Sequence, residues 1–123
     1  MSTQQNWWIS EATGDELAGN GAAHVFYEKL FVGVGDPDSW EKGDEVGSVS
    51  GVYVITPDGK AVGSYTLWIG DDDSLNVSGN LAHDSGIKNG VVGVTGGTGS
   101  FKGQTGQVDV DWRNPHRWTL VGP

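Results

Sequence analysis

Apolar and polar residues alternate with a period of two along much of this chain. Leu75 and Val77 alternate with Asn76 and Ser78, and segment 107–112 follows the same rule. This period is typical of β-strands that place one face against a core. The pattern predicts eight strands: Asn6–Ala12, Ala23–Val32, Val46–Thr56, Lys60–Ile69, Ser74–Ala82, Val91–Thr95, Gly106–Trp112 and Arg117–Val121.

A glycine-rich segment precedes one of these strands. Residues 94–110 read VTGGTGSFKGQTGQVDV, with glycine at 96, 97, 99, 103 and 106. Glycine tolerates positive φ and close backbone approach, which the corner of a hairpin or barrel requires. A phosphate-binding loop needs Gly-Lys-Ser/Thr opening a helix, whereas here Lys102 precedes Gly103 and a strand follows. We therefore interpret this segment as a structural corner.

Turn residues separate the predicted strands, and helix signals are weak. Pro57-Asp58-Gly59 between two strand-like runs is typical of a hairpin. No internal repeat or linker divides the chain. We predict one all-β domain over residues 1–123, a closed eight-stranded antiparallel barrel, which at this size can hold one small molecule.

Charge and composition exclude several classes of partner. The net charge is −9, with only 7 Lys and Arg, which argues against binding nucleic acid or an anionic membrane surface. The chain has no cysteine, so disulfides and thiolate chemistry are excluded. We see no signal-peptide pattern and no apolar run of membrane-spanning length, and expect a cytoplasmic protein.

The residues that most often bind metals are scattered. His24, His83 and His116 lie in separate segments without metal-ligand spacing, which favours surface or loop histidines. Asp71-Asp72-Asp73 lacks the longer ligand pattern of an EF-hand and is better explained as a solvated hairpin tip. We expect neither a metal nor another cofactor.

Glu28 is the most informative charged residue. It lies inside the apolar strand 26–31, and alternation places it on the same face as Phe26 and Leu30. If this face lines the barrel, burial would disfavour the charged carboxylate and prepare a general acid or a polar anchor. The alternative is an outward Glu28 paired with Lys or Arg.

Large aromatic side chains are candidates for a pocket wall. Tyr53 lies between two valines, and Tyr65 and Trp68 lie on the next predicted strand. Core packing alone would also explain them. Segment 24–32 is apolar on both faces, which predicts burial on two sides, by the barrel interior and by a partner subunit or a covering loop. We therefore expect a homo-oligomer, either a dimer or a trimer.

Several motifs resemble one superfamily, that of the allene oxide cyclase and dirigent β-barrels. Residues 94–110 are very close to its TGGTG-x-F-x-G-x-x-GQV stretch. GSYTLWIGDDDSLNVSG at 63–79 resembles its strand–turn–strand, and VGSVSGVYVI at 46–55 and FYEKLF at 26–31 resemble two earlier strands. The resemblance extends from His24 to Gly122.

This resemblance implies an eight-stranded barrel with an apolar cavity that folds a flexible substrate without a cofactor. The lumen Asn and Cys of plant cyclases correspond here to Glu28 and Tyr53. Their first-strand Glu corresponds to Trp8 or, with a register slip, to Glu11. Bacterial relatives catalyse cycloadditions in polyketide pathways, and dirigent proteins steer radical coupling.

We therefore expect a cofactor-independent cyclase or isomerase that closes a ring in an apolar, polyketide- or lipid-derived substrate. Glu28 would act as acid, base or anchor, and Tyr53 as a second polar contact. The wall would comprise Trp8, Phe26, Leu30, Tyr65 and Trp68. The alternatives are a non-catalytic barrel that carries a hydrophobic metabolite, and an interaction module with a Trp-rich outer surface and a packed lumen.

Overall fold

The strands form a closed antiparallel barrel in which each strand pairs with its neighbours in sequence and β8 closes on β1. The computed structural model describes residues 7–11, 23–35, 41–55, 60–82, 89–111 and 115–122. The strands are β1 Trp7–Ser10, β2 Ala23–Val34, β3 Glu41–Ile55, β4 Lys60–Ile69, β5 Asp73–Ala82, β6 Asn89–Thr98, β7 Gln107–Asp111 and β8 His116–Val121. The predicted fold is thus confirmed.

The predicted strands all occur, and one has the predicted bounds, β4 Lys60–Ile69. Five strands are longer than expected, and β3 and β6 differ the most, because hydrogen bonding to a neighbour extends them beyond their alternating cores. β3 begins at Glu41, which pairs with Val34, and β6 continues to Thr98, which pairs with Ser74. Residues 12–18, where a helical turn was considered, lie outside the described residues.

The barrel has two ends that differ in what connects the strands. We call one the tip end; it carries the β4–β5 turn at 70–72 and the β6–β7 connection at 99–106. We call the other the site end; there the chain passes from β1 to β2, β3 to β4, β5 to β6 and β7 to β8. A 3₁₀ turn, Gly99–Phe101, is the only helical element within the described ranges. No helix there is long and apolar enough to cross a membrane.

Inward side chains of all eight strands meet in one apolar cluster. Its members, which we call the core cluster, are Trp8, Leu30, Val49, Tyr65, Leu67, Leu75, Val77, Val92, Val108, Val110 and Trp118. Each is at most 5% exposed, so water has almost no access to these side chains. Eight strands give an interior that side chains can fill. In this part of the barrel they do fill it.

The glycine-rich segment is a structural corner, as predicted. Gly99 has φ of 62°, and a Cβ there would lie 2.0 Å from Oδ1 of Asp73. This carboxylate oxygen accepts a hydrogen bond from the Ser100 backbone N–H at 2.9 Å. The corner also places Phe101 against the core, with its ring 6.0 Å from that of Trp8. Phe101 therefore helps to close the tip end.

Asp71-Asp72-Asp73 forms the neighbouring hairpin tip. Asp71 and Asp72 are exposed in the turn, and Asp73 begins β5. The prediction of a solvated tip is therefore confirmed for the first two. Asp73 differs, because its side chain joins this turn to the β6–β7 connection.

Candidate functional site

Glu28 lies on the inner face of β2. Its cross-strand partner is Val49, which pairs in turn with Leu67, and both of these belong to the core cluster. The residue is only 5% exposed. Among the described residues it is the only buried one that carries a carboxylate. The inward placement predicted from alternation is therefore observed.

Side chains from two other strands surround this carboxylate. Ser10 of β1 donates a hydrogen bond to Glu28 Oε1 at 2.6 Å. His116, the first residue of β8, places Nδ1 3.0 Å from the same oxygen. Trp118 donates from Nε1 to Ser10 Oγ at 3.0 Å. We call these four residues the Glu28 cluster.

Barrel closure creates the Glu28 cluster. Ser10 pairs with Leu30 on one side and with His116 on the other, so β1 brings β2 and β8 together. His116 and Glu28 are 88 positions apart in the sequence. A carboxylate removed from water is costly unless hydrogen bonds compensate it. Here Ser10 and His116 both contact Oε1, and no hydrogen bond from a described residue reaches Oε2.

A second pair lies nearer the site end. His24 on β2 and Tyr53 on β3 are cross-strand partners, and their rings stack with centroids 4.7 Å apart and planes 13° apart. His24 is buried, whereas Tyr53 is partly exposed. Tyr53 packs against the core cluster from this side. Tyr53, the predicted second polar contact, thus faces inward. Along the sheet it lies two inward-facing positions away from Glu28.

The predicted wall residues have three different locations. Trp8, Leu30 and Tyr65 belong to the core cluster, where they form a packed floor below the site end. The backbone of Phe26 pairs with Gly51, and its side chain lies outside the described part. Trp68 does not line the lumen. It is 51% exposed on the outer face, because Leu67 and Ile69 on either side of it point inward.

The register of the first strand is also fixed. Trp8 faces inward and pairs with Trp118, whereas Glu11 is exposed beyond the end of β1. The Glu11 carboxylate lies 3.2 Å from Lys42 Nζ. Of the two alternatives left open by the sequence, Trp8 is the inward residue.

The prediction of surface or loop histidines is wrong for two of the three. His24 is buried on β2, and His116 lies beside Glu28 with its side chain 14% exposed. His83 lies outside the described residues. The predicted last strand begins one residue too late, at Arg117. A strand that began at His116 would have placed this residue on the same inward face as Trp118. Ser10 and Trp118 carried no signal of their own, because their role requires β1 and β8 to be adjacent.

The outer face of β2 is exposed in the single chain. Val25 and Tyr27 are 52% and 60% exposed, so the predicted burial on two sides does not occur within the described part of one copy. Neighbouring strands continue this face with Val52, Val54, Val62 and Trp68, and these six residues form what we call the outer patch. Val25 pairs with Val52, and Val54 with Val62, so the patch spans β2–β4.

Within the described ranges, no group of three or more metal-ligating side chains is present. No protein-family model matches the chain, and no curated protein matches it either. The barrel itself therefore stands as the finding, and the superfamily resemblance remains a proposal.

Proposed function

We propose that this protein is a cofactor-independent cyclase or isomerase of the allene oxide cyclase-like type. Its substrate is an apolar, polyketide- or lipid-derived chain that closes a ring inside the barrel at the site end. The observation that supports this most directly is the Glu28 cluster. A carboxylate on the inner face of an apolar barrel, hydrogen-bonded through one oxygen only, can exchange a proton with a bound molecule through the other.

The apolar floor supports the same proposal. Trp8, Tyr65 and Trp118 pack in this floor, where the Tyr65 and Trp118 ring centroids are 6.2 Å apart, and the proposal places the substrate against its upper edge. Rigid apolar surfaces limit the conformers of a flexible chain and hold reacting atoms close together. Such orientation is equivalent to effective molarities of about 10⁵ M or more.

In this proposal the substrate lies between the packed floor and the site end. The proposal requires Glu28 Oε2 to reach this space from one side and the His24–Tyr53 pair to bound it from another. Glu28 acts as the general base or anchor, and Tyr53 supplies a second polar contact. In this proposal substrates enter from the site end, because Phe101 packs against the core cluster at the tip end.

The proposal includes self-association through the outer patch, with a second copy of this chain as the occupant. Copies that each carry a charge of −9 repel one another unless they meet on a face without acidic groups. The patch provides that face: its members are apolar, and the outward positions between them on β3 and β4 are Ser50, Ser64 and Thr66. The predicted cytoplasmic location is retained as part of the proposal, to be tested by cell fractionation.

The test is a screen for ring closure. Linear chains that carry a diene and an alkene, or an unsaturated carbonyl, are incubated with the protein, and products of unchanged mass are separated by chromatography. We expect at least one chain to give a ring-closed isomer faster than in buffer. For an unsaturated carbonyl, whose ring closure requires a proton transfer, we expect Glu28→Gln to slow the reaction about 100-fold or more.

Two results would contradict the proposed enzymatic activity, and each would favour one of the two alternative functions. Chains that bind without conversion would indicate a hydrophobic carrier. No binding of any apolar chain, with the site end as filled as the floor, would indicate an interaction module. Binding is measured separately, by quenching of tryptophan fluorescence, so that the two results are distinguishable.

A further inference from the structure

We infer that the Glu28 cluster has a fixed direction of donation, from Trp118 and His116 inward to Glu28 Oε1, so that proton exchange with substrate occurs at Oε2. Ser10 and Trp118 are then positioning residues for Glu28. This inference rests on the proposed function for its catalytic meaning, although the direction of donation is a property of the free protein.

The direction starts at Trp118. An indole N–H can only donate, so Ser10 Oγ must accept at this contact. The Ser10 hydroxyl then has its own proton to donate, and the oxygen 2.6 Å away is Glu28 Oε1. Trp118 is almost completely buried, so its N–H is not accessible to solvent water. The chain of donation from Trp118 to Ser10 to Glu28 follows.

The Ser10–Glu28 distance fits a carboxylate acceptor. Hydrogen bonds from a hydroxyl to a carboxylate have distances of about 2.5–2.7 Å, whereas neutral ones cluster near 2.7–2.8 Å. The observed 2.6 Å lies in the first range. As the base of the proposed function, Glu28 is a carboxylate with only acceptor atoms, so in this inference His116 donates to it from Nδ1.

Two donors therefore occupy Oε1 and leave Oε2 for chemistry. In neutral His116 the proton is on Nδ1, and Nε2 is the ring's acceptor atom. When Glu28 removes a proton from substrate, the proton goes to Oε2, and the carboxyl group keeps both bonds at Oε1. The same proton can then return to another atom of the substrate, so that an isomerisation needs no other reactant.

The test is the tautomer of His116 in the free protein. Protein labelled with ¹⁵N is studied by long-range proton–nitrogen NMR at a pH where the ring is neutral, with His116 assigned through ring-to-backbone correlations. We expect the Nδ1–H form. The Nε2–H form would overturn the inference, because Nδ1 would then accept a proton carried on Oε1.

Variants test the rest of the chain of donation. In Ser10→Ala we expect the Trp118 indole N–H to shift and to lose its slow hydrogen exchange, while Ser74→Ala changes neither. Ser74 is the matched control: it is also buried, but it bonds to Thr98 at 2.8 Å near the tip end. An unchanged Trp118 signal in Ser10→Ala would contradict the positioning role.

A further measurement separates this inference from the proposed function. Ser10→Ala should lower kcat on a ring-closing substrate on the order of 10- to 100-fold with little change in KM, because a misplaced base is a poor one. If no substrate is ever turned over, the proposed function fails. The His116 tautomer still decides the direction of donation.

Discussion

Among the described residues, the buried inner side chains of β5–β7 are aliphatic, whereas β8, β1 and β2 place His116, Ser10 and Glu28 on the same inner surface. The aliphatic half consists of Leu75, Val77, Val92, Val108 and Val110. These side chains need only apolar contact, and they pack to full burial. We call β8, β1 and β2 the polar half. Its inner polar side chains must instead form hydrogen bonds at fixed distances.

This difference indicates a division of labour within one barrel. Aliphatic packing contributes stability roughly in proportion to the apolar surface removed from water. A buried carboxylate with its donors contributes little net stability, because desolvation offsets the attraction. Its presence in the polar half is therefore better explained by chemistry than by folding. The predictions below test this division from the largest effect to the smallest.

Truncation in the aliphatic half should have the largest effect on stability. Leu75 is fully buried, so Leu75→Ala should reduce the free energy of unfolding by about 2–5 kcal/mol through lost contact and a residual cavity. Denaturant titration measures this change. A cost below about 1 kcal/mol would show that the aliphatic half is loosely packed.

Removal of the carboxylate should have a smaller effect. Glu28→Leu leaves the Ser10 hydroxyl and the His116 ring nitrogen without their acceptor, at a cost of about 1–3 kcal/mol. Ser10→Ala should then cost less in the Glu28→Leu background than alone, and a double-mutant cycle measures the difference. Strict additivity would contradict the hydrogen-bonded cluster.

Substitution of Lys42, outside the barrel interior, should reduce the free energy of unfolding still less. Its Nζ lies 3.2 Å from Glu11 Oε1 and 4.5 Å from the centre of the Phe31 ring. Both partners are accessible to solvent, so Lys42→Ala should cost roughly 0.5 kcal/mol, less in high salt. Denaturant titration at two salt concentrations checks this, and a cost independent of salt would exclude the ion pair as its source.

Charges in the outer patch should change assembly with the least effect on the fold. Tyr27→Glu combined with Trp68→Glu should give a monomer by analytical ultracentrifugation, with unfolding of the monomer altered by about 0.5 kcal/mol or less. The matched control is Val91→Glu with Val121→Glu, two exposed valines on β6 and β8 outside the patch. Equal dissociation in both pairs would contradict an interface at the patch.

Local patterns were sufficient to predict the fold. Alternation around Leu75 and Val77 and the glycine corner at Gly99 are local features, and each has its predicted role in the barrel. The inward position of Glu28 also followed from its immediate neighbours. Strand ends were predicted less well, because β3 and β6 extend through pairing with residues distant in sequence.

The partners of Glu28 were beyond local patterns. Ser10 and His116 meet only because β8 closes on β1, and neither has an unusual sequence environment. Trp68 was assigned to the wall on residue type alone, although its own alternation with Leu67 indicates the outer face. Residue type identified the chemistry that was possible, while position in the sheet decided which residues take part.

The most direct test of the central claim is a single-turnover comparison of Glu28→Gln with wild type, using a substrate that is fully bound in both. Glu45→Gln is the matched control, because Glu45 is an exposed residue on β3. For a ring closure that requires a proton transfer, our account predicts a rate reduced about 100-fold or more in Glu28→Gln and unchanged in Glu45→Gln. Equal rates in Glu28→Gln and wild type would contradict it.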